Sequence, residues 1–211
     1  MGAQAVQALK PVRQMKQHAC SFALYAHDLS RQVEVHHFVS RLNQDVLQCA
    51  VYDSDKPSAH LIGVEYIVSD AIFESLPPEE QKLWHSHAYE VKAGLWTDVG
   101  VPEPLQKLGD GEDGQDVRQA LVDRGDELPL GAPALMVSPQ AVEPGRVRAE
   151  LVHGRDERYK IDSSAQGLKG ARVEMDEPEW INPNADYWRL HGKGFAIDVT
   201  ATEMKRHAPF P

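Results

Sequence analysis

The stretch LWHSHAYEVKAGLW, residues 83–96, sets two histidines one residue apart and a glutamate three residues beyond the second. Imidazole nitrogen and carboxylate oxygen together suit zinc, nickel or iron, so His85, His87 and Glu90 are candidate ligands for a divalent ion. The backbone decides whether they can act together. On a strand, residues i and i+2 point to one side, and the two imidazoles can grip a single ion. On a helix they lie about 200° apart, and the usable pair becomes His87 with Glu90 at i,i+3. A third arrangement breaks the helix at His85 and restarts it afterwards, which brings His85, His87 and Glu90 to one point. HxHxxE departs from the first metal motif of the cupins, whose Glu normally follows after three or four residues. No Gly-flanked partner motif is found downstream.

Two further polar residues interrupt apolar runs. In QVEVHHFVSRL, residues 32–42, strand alternation places Val33, Val35, His37 and Val39 on one side and Glu34, His36 and Phe38 on the other. His37 therefore falls on the apolar face. Glu65 sits in LIGVEYIV, where a buried carboxylate needs a His, an Arg or a metal as partner. His37, Glu65 and the 85–90 group are expected to form one polar cluster between sheet and helices. The competing expectation is a structural one, in which buried His and Glu satisfy each other by hydrogen bonds without an ion. A third is metal-free acid–base catalysis. Cys20 and Cys49 lie far from the stretch in sequence, have no CxxC spacing, and read as small buried hydrophobes.

Other chemistries lack their motifs. There is no GxSxG nucleophile elbow. GDGEDG at 109–114 is Gly-rich but acidic, and would repel phosphate, so no nucleotide cofactor is expected. A net charge of -10, from 32 acidic and 22 basic residues, argues against nucleic acid, or an anionic membrane in general, as a partner. No stretch approaches the roughly 20 apolar residues of a membrane-spanning helix. The first 20 residues show no secretory h-region, and Val6 stands where a myristoylation signal needs Ser or Thr. A soluble, cytoplasmic protein is the expectation.

The elements that must position the candidates follow from patterning. Residues 1–17, interrupted by Pro11, read as an N-terminal arm, and 18–211 as a single α+β domain. Segments 19–26, 32–42, 46–54 and 59–69 are rich in Val, Ile, Tyr and Phe and are joined by turn-forming residues, which predicts an antiparallel meander. The first of them also fits a helix. Ser69 and Asp70 suit the start of a helix over AIFESL, and Pro78 opens another that runs to a stop at Gly94. Residues 97–133 are rich in Gly, Pro and acids, predicting a surface excursion with one short helix near 115–123. A strand at 134–138, a helix at 145–159 with Val147, Leu151 and Val152 inward, and strands at 171–175 and 194–200 complete the prediction. Trp180 and Trp188, between the last two, either seal the sheet or line a pocket mouth. A meander packed against helices, without regular βαβ alternation, is α+β.

The strings HDLSRQVEVHHFVSRL through LWHSHAYEVKAGLW, then DRGDELPLGAPALMVSP and EPEWINPNADYW with HGKGFAID, resemble the plant oil-body-associated protein family, which also has bacterial and fungal members. The likeness runs from about residue 18 to residue 199. It implies association with seed lipid droplets, with no assigned catalytic activity and no catalytic residue to carry over. The sequence shows no apolar hairpin and no long amphipathic helix with a basic face; the only candidate for lipid contact is AVQALKPVRQMK. Any droplet contact is therefore expected to be peripheral or through a droplet protein. Two functions follow: a droplet-associated, scaffold-like protein whose His/Glu cluster is structural, or a metal-dependent enzyme of unknown reaction with 97–133 as a lid over the cluster.

Overall fold

A computed structural model describes residues 7–87, 90–91, 93–101, 116–122, 133–137, 147–163, 182, 184–185, 187–197 and 200–203. The expected meander is present as β1 (Gln17–Tyr25), β2 (Asp28–Arg41), β3 (Val46–Tyr52) and β4 (Leu61–Val68), each antiparallel to the next. The β-branched and aromatic runs that predicted it are the residues that fill a pleated surface on both sides. The sheet continues through β7 (Asp116–Val122), which pairs with β4, and β8 (Pro133–Val137), which pairs with β7. β8 then meets β1 through Leu24 with Val137 and Tyr25 with Met136. Six strands thus pair around a ring.

β8 covers only one end of the gap between β7 and β1. The other end is filled by two short strands from the candidate stretch. β5 (His85–Ser86) pairs with Val117 and Asp116 of β7, and β6 (Thr97–Asp98) pairs with Cys20 and Ala19 of β1. The chain between them turns inward. Val91 and Trp96 join the core cluster with Ala19, Val35, Val39, Cys49, Val51 and Ile67.

The helices lie outside the ring, so the class is α+β with little helix. α1 (Asp70–Ser75) buries Phe73 against Val68, Trp84 and Ala185. Ser69 precedes it, but its hydroxyl bonds Asp45 rather than the helix. α2 (Pro78–Gln81) is short, with Pro78 at its first turn. α3 (Ala149–Tyr159) covers Phe22 of β1, with Val147, Leu151 and Val152 in the contact as expected. α4 (Tyr187–His191) follows, with Trp188 half-buried.

Three expectations fail. The helix from Pro78 does not run to Gly94; it ends at Gln81, and His85–Ser86 are strand. Its apparent periodicity came from residues serving three separate clusters: Leu83 and Trp84 with Phe73, Val91 in the ring, and Leu95 against Phe22. Residues 116–122 are a strand, not a short helix, because they pair with β4 and β8 on either side. Residues 194–197 of the expected last strand are not in the sheet. The strand expected at 171–175 and Trp180 lie outside the described residues.

Arg155 fastens α3 to the inserted segment. Fully buried, it donates to the carbonyls of Leu95 (2.7 Å) and Gly94 (3.0 Å), while its Nε bonds Asp156 at 2.9 Å. Replacing Arg155 with Met strands two buried carbonyls and leaves Asp156 with Ser163. Unfolding in urea should show a loss of about 3 kcal/mol, and Arg155→Lys should recover little of it, because one ammonium cannot reproduce the planar fork. A loss below about 1 kcal/mol would show that the segment is held by its packing alone.

Candidate metal centre

The broken backbone brings the candidates together. β5 directs His85, the chain leaves the sheet at Ser86, and a single helical turn forms, with Val91 N–H donating to the His87 carbonyl at 3.1 Å. Gly94 ends it at φ +68°, a left-handed conformation that a side chain would strain. The amides of Leu95 and Trp96 both donate back to the Glu90 carbonyl, at 2.8 and 3.1 Å. The loop thereby folds over on itself. One ligand atom each from His85, His87 and Glu90 lies within 4.8 Å of the others, and all three residues are buried.

Glu65 and His37 complete the cluster from the sheet. Their side chains share the inward face, because His37 pairs with Val51 and Glu65 with Cys49, two positions apart on β3. His37 Nε2 is 2.8 Å from Glu65 Oε2, and Glu65 Oε1 is 3.8 Å from His87 Nε2. Glu90 Oε2 approaches the same His87 nitrogen at 3.9 Å. All five residues singled out in the sequence converge. Trp96, which the sequence did not mark, packs its ring against both His37 and His87, with centroids 4.8 and 4.6 Å away. Only the Gly94 reversal could have pointed to it.

Burial, with a smaller contribution from His37, lowers the pKa of His85 to about 4. Burial pushes His87 well below the ordinary histidine range, helped by His85 and His37. Both imidazoles are therefore neutral at pH 7, the form in which histidine binds metal. Their Nδ1 atoms, and that of His37, are buried without a hydrogen-bond partner. Such atoms are uncommon in a finished hydrogen-bonded core. A divalent cation would also offset the two carboxylates, Glu65 and Glu90, enclosed with these neutral rings.

A second group on the opposite face of β1 and β2 went unmarked in the sequence. Cys20, Glu34 and His36 also place ligand atoms within 4.8 Å. This network is closed: His36 Nε2 meets Glu34 Oε1 at 3.0 Å, its Nδ1 meets His18 at 3.0 Å, and Arg158 donates to Glu34 at 2.6 Å. The guanidinium already balances the carboxylate, and burial and Glu34 push the Cys20 thiol pKa up, away from the thiolate a metal needs. Cys49 is the cross-strand neighbour of Glu65, although its distance in sequence had set it aside.

Residues 9–175 match the family described as a protein of unknown function, DUF1264. The chain is 80% identical over its whole length to a maize protein named oil body-associated protein 2B, covering 86% of that protein. Over its whole length it is also 52% identical to oil body-associated protein 2A of Arabidopsis thaliana, again covering 86% of the relative. A more distant relative, oil body-associated protein 1B of the same plant, is 38% identical over 96% of this chain and 83% of its own length. No solved structure matches the chain.

The depressed histidine pKa values set a pH dependence. An imidazole that titrates near 4 when folded and 6.5 when unfolded takes up its proton in the unfolded state first. The metal-free protein should keep the full contribution above pH 6.5 and lose it progressively as pH falls toward 4. Chemical unfolding across that window measures it. A His85→Gln variant should lose part of the slope; an unchanged slope would mean the ring is not buried in solution.

Proposed function

This chain belongs to the DUF1264 family together with the oil body-associated proteins, and on that premise we propose that it is an oil body-associated protein carrying a divalent-metal centre. His85, His87 and Glu90 are the proposed ligands. Glu65 is the fourth ligand or its carboxylate neighbour, and His37 fixes the orientation of Glu65. The observation that carries the proposal is the approach of three buried ligand atoms within 4.8 Å from a stretch of six residues. A tetrahedral shell at bond lengths of ~2.1 Å would draw them to roughly 3.4 Å apart. That is a small contraction for side chains on a single loop. Imidazole and carboxylate suit zinc, nickel or iron.

One observation favours a reactive centre over a purely structural one. His85 also lines a cleft between β8 and the C-terminal segment, bounded by Trp84, Met136, Trp188, Lys193 and Phe195. Its enclosed space is about 20 Å³, room for a single water. A water held there would lie against His85, one of the proposed ligands. Of the acidic 97–133 stretch, expected as a lid over the cluster, Thr97–Asp98 and Asp116–Val122 are strands of the sheet, while residues 102–115 and 123–132 lie outside the described residues.

Metal content of protein purified without a His-tag tests the centre. The wild type should hold close to one ion per chain, and a His85→Ala, His87→Ala double variant at least tenfold less while remaining folded. Wild type free of metal, with a variant that simply melts lower, would make the cluster a hydrogen-bonded core. Droplet association has a separate test. No helix of the described residues is long and apolar enough to cross a membrane, so contact is proposed to be peripheral, at the droplet surface or through a droplet protein. An alkaline carbonate wash should release the protein from isolated droplets; retention in the lipid layer would mean that it is embedded.

A further inference from the structure

The strand face opposite His37 carries apolar side chains, several of them into solvent. Phe38, Ala50 and Val64 are register partners across β2, β3 and β4, and Tyr52 and Leu61 are partners in the adjacent row. Leu61 and Val64 are each 51% exposed and Tyr66 is 46% exposed. A 3-10 turn at Val12–Gln14 extends this surface, with Val12 at 61% exposure. Between the turn and the sheet runs a groove of about 320 Å³ lined by Val12, Met15, Phe38, Tyr52 and Lys56. Apolar surface gathered in this way marks a contact with something other than water.

Charge indicates what that contact is. Lys56 lines the groove, and the exposed Lys10, Arg13 and Lys16 flank its residues Val12 and Met15 in sequence. Residues 1–27 contain no Asp or Glu, in a chain of net charge -10. Two carboxylates border the groove in sequence: Asp53 is tied to His60 at 2.9 Å, and Asp55 accepts from the Tyr159 hydroxyl at 2.8 Å, a donor that supplies no countercharge. An apolar patch framed by cations on an otherwise acidic protein matches an anionic phospholipid monolayer, which takes apolar side chains between its chains and attracts Lys and Arg to its head groups. We propose that this face, from Val12 across Phe38 to Val64, is the surface that docks on the phospholipid monolayer of a lipid droplet. The proposal rests on the droplet association put forward above and adds which residues make it and which lipid charge it selects. It also orients the molecule, with the monolayer outside β2–β4.

Flotation with protein-free triolein droplets tests it, using monolayers of phosphatidylcholine with or without phosphatidylserine. Wild-type protein should float with the phosphatidylserine droplets, float several-fold less with phosphatidylcholine alone, and be released by salt. A Leu61→Glu, Val64→Glu pair and a Lys10→Glu, Arg13→Glu pair should each lower the floating fraction at least tenfold. Leu190→Glu, at a site 56% exposed on α4, should leave it unchanged. All five positions are exposed, so melting temperatures should stay near wild type. Wild type and both pairs floating equally would overturn this face and leave droplet association standing. Wild type that floats only with droplets carrying their native coat proteins would assign the contact to a protein and overturn the lipid face. Failure to float with either kind of droplet would remove the droplet association itself. If the apolar pair converts a dimer to a monomer in sedimentation without changing flotation, the face is a contact between copies.

Discussion

A carboxylate on the inward face of a central strand governs the arrangement around it. Glu65 is 1% exposed and is surrounded by side chains that give it little solvation. Leaving such a group uncompensated in an apolar interior would cost several kcal/mol, enough to consume much of a small protein's stability. His37 meets it at 2.8 Å from β2, across the intervening β3, and His87 of the inserted loop stands 3.8 Å from its other oxygen. The loop in turn is held by β5 on one side, β6 on the other and Arg155 from outside. Each restraint also serves to keep polar partners near Glu65.

The same arrangement explains why the sheet has two kinds of contents. Around the polar group the interior is packed with small and β-branched residues, Ala19, Val35, Val39, Cys49 and Val51 among them. Trp96 packs its ring against the imidazoles of His37 and His87. Outside β1, α3 packs on Phe22 and supplies Arg158 to Glu34, so the second polar network is balanced by its own cation. The two clusters sit back to back on adjacent residues, His37 and His36, yet differ in charge balance.

Much of this was legible in the sequence because it is local. Strand alternation assigned His37 to the apolar side, and a lone acid in LIGVEYIV announced a buried Glu65. The convergence of His85, His87 and Glu90 required a break that was one of three readings of the stretch, since helical spacing fitted Leu83, Trp84, Val91 and Leu95 equally well. Those four side chains pack in three different places, and only long-range contacts reveal that. β7 was misread for the same reason: DVRQALV has helical spacing of its own, and its strand conformation is imposed by β4 and β8. Arg155 was invisible because the carbonyls it serves are sixty residues away.

The pinning of the inserted segment at both ends has a consequence for how the sequence can vary. Residues 87–96 must leave β7 at Ser86 and arrive on β1 at Thr97, and the Gly94 reversal and the Glu90 carbonyl fix the path between. Adding or removing one residue there would slide β6 along β1 and rotate the histidines away from Glu65 at once. The Lys56 turn also joins two strands, but β3 and β4 are neighbours in the sheet and the Asp53–His60 hydrogen bonds close its base, so a change at its tip need not move either strand. Length polymorphism should therefore be tolerated at that turn and forbidden between Ser86 and Thr97, so the spacing of this stretch is as much a part of the site as its side chains.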